Sequence, residues 1–235
     1  MGFNVAKCHI LTVSRKREPV QATYTLHQQP LERVRAAKYL GVELTTDLNW
    51  GEHIQAICTK GNRTSAFVTR NLKGCPTSVQ TYCYKALARP TLEYSSPVWD
   101  PHQKNHYESL EMVQRRAARR ITRDFSRDSS ATALVASLGL PTLIQRRKQD
   151  KVALMYKILN DHLDCRPKPG TLIYNEMPTR GHSRKLQQLQ STTDSYLHSF
   201  FPSAIRLWNS LPAAAVCAPS LLSFRSQLEG WKWPT

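Results

Sequence analysis

The sequence lacks a C-x-x-C pair, and it has no apolar run of the roughly 18 residues that a membrane helix needs. Scattered single cysteines in a chain of 235 residues indicate reduced thiols. A tetrahedral zinc site usually takes two close ligand pairs, and the sequence offers one, His162 with Cys165. We therefore expect an intracellular protein, in the nucleus or the cytoplasm, that is not secreted, has no membrane partner and holds no metal.

Acidic residues are also scarce. The chain carries 17 Asp and Glu against 33 Lys and Arg, which gives a formal net charge of +16 and a pI near 9.9. Such an excess of positive charge indicates polyanionic partners such as nucleic acid or anionic lipid. The hydrophobic content of 40% is enough for a buried core.

The patterning predicts a mainly α fold with four segments. Residues 1–46 alternate polar and apolar positions between turn signals, which predicts a short antiparallel β-sheet. Residues 47–160 have helical periodicity, residues 161–195 are rich in loop-forming types and predict a linker, and residues 196–235 predict short aromatic-rich helices.

Four longer helices are predicted within the central segment. The first begins near Asn49 and ends before "GCP" at residues 74–76, and the second begins at Thr77 and stops before Pro90. Its apolar side is predicted to consist of Val79, Tyr82, Cys83, Ala86 and Leu87. The other two are predicted over residues 105–125 and 142–160.

The third helix contains "EMVQRRAARRITRDF", whose arginines cluster on one side. At about 100° per residue, they fall within an arc of roughly 140°: Arg115, Arg116, Arg119, Arg120, Arg123 and Arg127. The opposite side is predicted to be apolar: Leu110, Val113, Ala117, Ala118, Ile121 and Phe125. Because the nearby acids Glu108, Glu111 and Asp124 are too few to neutralise the arginines, we predict that this face binds phosphate, with a merely solvated face as the alternative.

A second basic cluster opens the fourth helix, with the members Arg146, Arg147, Lys148 and Lys151. Phosphate binding is predicted here too, and a solvated face is as good an explanation. Seven aromatic residues near the basic helices could stack on bases, but their spacing favours the core: Tyr82, Tyr84, Tyr94, Trp99, Phe200, Phe201 and Trp208.

Five sequence strings resemble one protein family. They are "FNVAKC" (3–8), "KYLGVELTTDLNWGEHI" (38–54), "YKALARPTLEYSSPVWDP" (84–101), "EMVQRRAARRI" (111–121) and "SFFPSAIRLWNSLP" (199–212). In this order they resemble the C-terminal part of the reverse transcriptase encoded by non-LTR (LINE-type) retrotransposons. The resemblance implies an RNA-directed DNA polymerase whose palm ends in residues 1–46 and whose helical thumb-like bundle occupies residues 47–160.

The resemblance also implies roles for single residues. Lys7 would take the palm lysine position, on the strand that follows the catalytic aspartates. Tyr39, Leu40, Gly41 and Val42 would form the hairpin that grips the primer end. The implied partners are RNA, DNA or an RNA–DNA hybrid, and possibly a separate palm and fingers portion.

This sequence lacks one feature of the family that catalysis requires. Polymerases hold two metal ions with clustered carboxylates, and this chain has no adjacent aspartates. The resemblance thus implies Mg²⁺ only for the intact polymerase, and we expect a non-catalytic, nucleic-acid-binding fragment. Two alternatives stay open: an interaction or scaffold protein that binds partners through "FFPSAIRLW", or an unstable relic with an unpaired "CHILTV" strand.

Overall fold

A computed structural model describes residues 3–14, 16–18, 22–165, 167–176 and 181–233. Five residues of the predicted linker, 166 and 177–180, lie outside the described residues. The chain divides into two compact units, Met1–Lys60 and Gly61–Thr235. Helices dominate and the strands are short, so the prediction of a mainly α fold with a small β-sheet remnant is confirmed.

Among the described residues of the first unit, six short strands pair two by two. They are β1 (His9–Leu11), β2 (Thr25–Leu26), β3 (Gln29–Pro30), β4 (Glu32–Val34), β5 (Ala36–Tyr39) and β6 (Val42–Thr45). The β2–β3 and β5–β6 pairs are antiparallel, but β1 runs parallel to β4. The prediction of an antiparallel sheet is therefore wrong for the β1–β4 pair. The long connection between these two strands, which includes the β2–β3 hairpin, allows a parallel crossover.

The "FN-x-x-K" stretch precedes the first strand instead of forming it. Val5–Lys7 is a 3₁₀ turn, because the side chain of Asn4 accepts a hydrogen bond from the backbone N–H of Ala6 at 3.0 Å. The exposed Lys7 ends this turn, and β1 begins at His9. The predicted strand position of Lys7 is thus wrong.

The predicted hairpin at residues 39–42 is present. Tyr39 of β5 pairs with Val42 of β6, and the two residues between them, Leu40 and Gly41, have φ angles of 46° and 88°. Positive φ at both central positions gives the turn that matches the twist of paired strands. The exposed tip consists of Tyr39 and Leu40, at 65% and 73% exposure.

The first long helix, α1 (Gly51–Asn71), begins where predicted. The side chain of Asn49 accepts a hydrogen bond from the N–H of Gly51 at 2.8 Å, and the helix ends ahead of "GCP". Ile54 is buried within the first unit, and Ser65 and Val68 are buried within the second.

The second predicted helix continues through Pro90. It consists of α2 (Thr77–Cys83), a π-helical turn (Tyr84–Ala88) and α3 (Arg89–Glu93), and α4 (Ser96–Trp99) follows. Proline has no N–H to donate to the carbonyl one turn back, and the N–H of Arg89 bonds to the carbonyl of Tyr84, five residues earlier. The wider turn accommodates the proline, so the predicted stop was wrong.

The buried face of this helical run also differs from the prediction. Gln80, Thr81, Tyr84 and Ala88 are buried, whereas Val79, Tyr82, Ala86 and Leu87 are exposed. Two of the buried residues are polar, and each donates to a backbone carbonyl: Gln80 Nε2 to Cys75 at 2.9 Å and Thr81 Oγ1 to Thr77 at 2.8 Å. A prediction from the spacing of apolar residues misses a buried face that contains polar side chains.

In the described part of the chain that follows, the helices are α5 (Lys104–Thr122), α6 (Ala131–Ser137), α7 (Leu143–Leu159), α8 (Asp194–Leu197), α9 (Phe200–Asn209), α10 (Ala213–Val216) and α11 (Leu221–Gln227). One cluster of buried side chains joins the π-helical turn, α5 and α6, and includes Tyr84 and Ile121. Another joins α7 to the C-terminal helices, with Tyr156, Trp208 and Phe224.

The aromatic residues divide between core and surface. Tyr84, Trp99 and Trp208 are buried, and Phe200 and Phe201 are half-buried against the second cluster. Tyr82 and Tyr94 are exposed at 72% and 57%. The prediction that these aromatic residues belong to the core is confirmed for Tyr84, Trp99, Trp208, Phe200 and Phe201. It is wrong for Tyr82 and Tyr94.

Part of the predicted linker is structural. Leu186 is fully buried in the second cluster, and His182 is 3% exposed with Nε2 at 3.0 Å from the carbonyl of Trp208. Tyr174 and Leu186 form an isolated antiparallel bridge. Within the described ranges, no helix has both the length and the apolar character to cross a bilayer.

Candidate nucleic-acid interface

Helix α5 has the two faces that its sequence predicts. Its apolar residues are at most 3% exposed: Leu110, Val113, Ala117, Ala118 and Ile121. Arg116 on the other side is exposed, and Arg115, Arg119 and Arg120 are half-buried. The helix therefore turns its arginines away from the core.

The helix ends at Thr122, earlier than predicted. Arg123 has a φ of 57°, a left-handed conformation that commonly terminates helices, and its guanidinium donates to the carbonyl of Lys73. Phe125 and Arg127 belong to the loop that follows, so their positions on the helix wheel were wrong. Phe125 is 68% exposed and does not join the core.

Arg119 has a structural task. Its guanidinium donates three hydrogen bonds to backbone carbonyls of that loop: Nη1 to Asp124 at 3.2 Å and to Ser126 at 3.1 Å, and Nη2 to Ser129 at 2.8 Å. Carbonyl groups that would otherwise be partly desolvated are thereby satisfied. These donors are not available to phosphate.

Glu111 does not neutralise the arginine face. The residue is 7% exposed, and its Oε1 accepts the N–H of Ile144 at 2.9 Å, at the N-terminus of α7. Burial raises the pKa of this carboxyl group, while the α7 N–H groups and the nearby Arg147 and Arg115 favour its charged form. The negative charge points inward.

The other two acids near the arginines are engaged as well. Glu108 lies 3.8 Å from Lys104. The Asp124 carboxylate accepts the N–H of Ser126 at 3.0 Å and the hydroxyl of Ser129, and these bonds lower its pKa. Over the described ranges, no carboxylate lies within 4.0 Å of Arg116, Arg120, Arg123 or Arg127.

The basic cluster of α7 has a different environment. Thr142 caps the helix through a reciprocal pair of hydrogen bonds with Gln145, which places the basic residues in the following turns. Arg146 makes a bidentate pair with Glu93 of α3, and Glu93 also lies 3.7 Å from Arg89. The hydrogen bonds that Arg146 donates to Glu93 are the main reason that the pKa of Arg146 is raised.

Two buried members of the cluster share one half-buried carboxylate. Asp100 lies 2.8 Å from Arg147 Nε and 2.7 Å from Lys151 Nζ, and the two basic side chains are 2% and 5% exposed. Lys151 also donates to the hydroxyl of Ser203 at 3.0 Å. Lys148 is half-buried, and burial lowers its pKa. Phosphate binding by the α7 cluster stays a prediction, and its inward orientation gives it little support.

The hairpin tip and Lys7 lie in the first unit, and their predicted roles toward a primer stay predictions. In the part of the chain that the structure describes, no three His, Cys, Asp or Glu side chains come together as metal ligands. The Mg²⁺ implied for the intact polymerase therefore finds no matching donor set among these residues.

Comparisons with known proteins support the resemblance. The chain is 29% identical over 141 residues to "RNA-directed DNA polymerase from mobile element jockey" and 26% identical over 125 residues to "Probable RNA-directed DNA polymerase from transposon X-element", both of Drosophila melanogaster. The chain is related to the reverse transcriptases of non-LTR retrotransposons. The matches cover 54% and 52% of this chain and only 15% and 14% of those relatives.

No protein-family model matches the chain. No solved structure matches it at a significant level. The relatives are therefore the comparison on which the functional argument draws.

Proposed function

We propose that this chain is a nucleic-acid-binding fragment of a retrotransposon RNA-directed DNA polymerase. Arg116, Arg120, Arg123 and Arg127 would hold the phosphate backbone of a template–primer duplex. The supporting observation is that Arg116, Arg123 and Arg127 are exposed and Arg120 is half-buried, and that none of the four has a carboxylate within ion-pair distance over the described ranges. Arginine contacts to phosphate are sequence-independent, so RNA, DNA and a hybrid are all suitable partners.

The proposal assigns binding, and not catalysis, to this chain. The sequence has no adjacent aspartates, and the described residues offer no metal-binding cluster. A partner portion that carries the palm carboxylates and the fingers would supply the chemistry. The thumb-like role of the helices belongs to the same proposal.

The test is binding to a labelled RNA–DNA hybrid. A variant with R116Q, R120Q and R123Q should bind at least about tenfold more weakly than wild type, because each lost phosphate contact removes a favourable charge interaction. The matched control changes three cations outside the α5 face, K168Q, R225Q and K232Q, and removes the same charge. Equal losses in the two variants would show that only net charge matters and would contradict the proposal.

One observation favours an interaction protein as a second candidate. Val79, Tyr82, Leu87 and Tyr94 are 41%, 72%, 55% and 57% exposed along α2, the π-helical turn and α3. Exposed apolar side chains in such number are typical of protein contact surfaces. The "FFPSAIRLW" segment fits this role less well, because Ile205 and Trp208 are fully buried. Replacement of Tyr82 and Leu87 by serine separates the two candidates. If these side chains contact a protein, the variant should lose copurification of that partner and should still bind the hybrid like wild type.

A further inference from the structure

The loop 123–130 has a firmly held backbone and an exposed aromatic ring. Arg119 binds three of its carbonyl groups, and Asp124 accepts hydrogen bonds from Ser126 and Ser129. The next helix, α6, begins with the Ser130 side chain accepting the N–H of Ala133. The loop is thus fixed at both ends and through its middle.

Phe125 is at the same time 68% exposed. An exposed phenylalanine on a flexible segment can fold back onto neighbouring apolar surface, but here the bonded residues on either side, Asp124 and Ser126, fix its position. Leaving a large apolar ring in water forfeits burial free energy. A ring presented in this way is available to a ligand with an apolar face.

The charges around the ring indicate what that ligand is. Arg123 and Arg127 lie two residues before and two residues after Phe125, and both are exposed; Nη2 of Arg123 donates to the carbonyl of Lys73, and its other N–H groups make no hydrogen bond among the described residues. Two acids share the loop, but the Asp124 carboxylate is occupied within it, which leaves Asp128 as the exposed negative group. An aromatic ring between cations suits a nucleotide, whose base has a flat apolar face and whose phosphate is anionic.

We propose that Phe125 stacks on an unpaired base of a single-stranded RNA or DNA segment, while Arg123 and Arg127 hold its phosphates. Bases inside a duplex are already stacked on both faces, so the ring selects nucleotides outside the paired region. Phenylalanine has no hydrogen-bonding group, and the site therefore accepts any base. This inference rests on the proposed function and adds a second ligand class, single-stranded nucleic acid next to the duplex.

The test compares a labelled oligouridine of about 12 nucleotides with the RNA–DNA hybrid, both titrated with the full chain. F125A should weaken oligouridine binding between about fivefold and about a hundredfold, and F125L should behave like F125A. F125W should bind as tightly as wild type, because its ring can stack. Hybrid binding and the stability to urea should stay unchanged in all three variants.

The matched control is Y82A. Tyr82 is 72% exposed on α2, and the residues three and four positions away along the helix are Ser78, Val79, Lys85 and Ala86, none of them an arginine. Y82A should bind oligouridine like wild type. An equal loss in Y82A and F125A, or a loss in F125W as large as in F125A, would overturn the stacking role.

The two proposals fail in different ways. If F125A binds oligouridine like wild type while the triple arginine variant still loses the hybrid, the stacking inference is overturned and the phosphate-binding function stands. The exposed ring would then belong to a protein contact. If wild type binds neither probe at low salt, the proposed function itself is contradicted.

Discussion

Helices α5 and α7 carry similar clusters of basic residues and use them in opposite ways. In α7, Arg146 pairs with Glu93, and Arg147 and Lys151 share Asp100 in the interior. In α5, Arg116 and Arg120 have no such partner among the described residues. The difference lies in the neighbouring elements: Glu93 of α3 and Asp100, which follows α4, supply acids to α7, and among the described residues no carboxylate lies within 4.0 Å of Arg116 or Arg120.

A basic residue on a helix can therefore have either of two roles, and the sequence of that helix alone does not distinguish them. A cation opposite a carboxylate on a packed element is structural, and a cation without one is available to an external anion. The comparison leads to predictions in which α7 substitutions change stability and α5 substitutions change binding.

The largest effect is expected at Asp100. D100N should lower the free energy of unfolding by about 3–5 kcal/mol, because it leaves Arg147 and Lys151 buried without a counter-charge. Urea denaturation measures the change. E108Q, at the exposed pair with Lys104, is the control and should stay within about 0.5 kcal/mol of wild type. Comparable values for the two variants would remove the distinction between the helices.

A smaller effect is expected at Arg119, which is the structural exception within the α5 stripe. R119Q should lose about 1–2 kcal/mol of stability, since charged hydrogen bonds to three loop carbonyls disappear. Amide hydrogen exchange should rise in loop 123–130 and stay unchanged in α7. R116Q, one turn away on the same exposed face, should leave stability within about 0.5 kcal/mol. Faster exchange in R116Q than in R119Q would contradict this assignment.

The smallest effect concerns pH. Burial raises the pKa of Asp150 on α7, and the negative charge of Glu93 raises it further. Between the ordinary value and the raised value, the folded state binds more protons than the unfolded state, so this residue lowers stability as pH rises. The stability of D150N relative to wild type should therefore increase from about pH 3 to about pH 7 in urea titrations. A constant or decreasing difference would show that burial and the charge of Glu93 do not raise the pKa of Asp150.

The sequence was sufficient for those elements in which one rule dominates. The resemblance implied the hairpin at residues 39–42, the helical pattern placed α7 between Thr142 and Asn160, and the buried side of α5 followed from the spacing of its apolar residues. Local chemistry determines these features, and local chemistry can be read directly.

The sequence was insufficient where a buried polar hydrogen bond, a change of helix type or a distant residue determines the structure. The exposed position of Tyr82 depends on Gln80 and Thr81 finding backbone partners, and the π-helical turn at Tyr84–Ala88 carries the helix past Pro90. The burial of Arg147 depends on Asp100, which lies 47 positions earlier. A sequence signal for these ion pairs was present in two acids that precede α7, Glu93 and Asp100.

The most direct test of the central claim is the salt dependence of hybrid binding. For wild type and the variant with R116Q, R120Q and R123Q, the logarithm of the binding constant is measured against the logarithm of salt concentration. Counterion release predicts a slope that becomes shallower by about two to three units in the variant, roughly 0.9 for each lost phosphate contact. The K168Q, R225Q and K232Q control should keep the wild-type slope. An unchanged slope in the α5 variant would mean that these arginines do not contact phosphate, and the account of α5 as the binding face would be wrong.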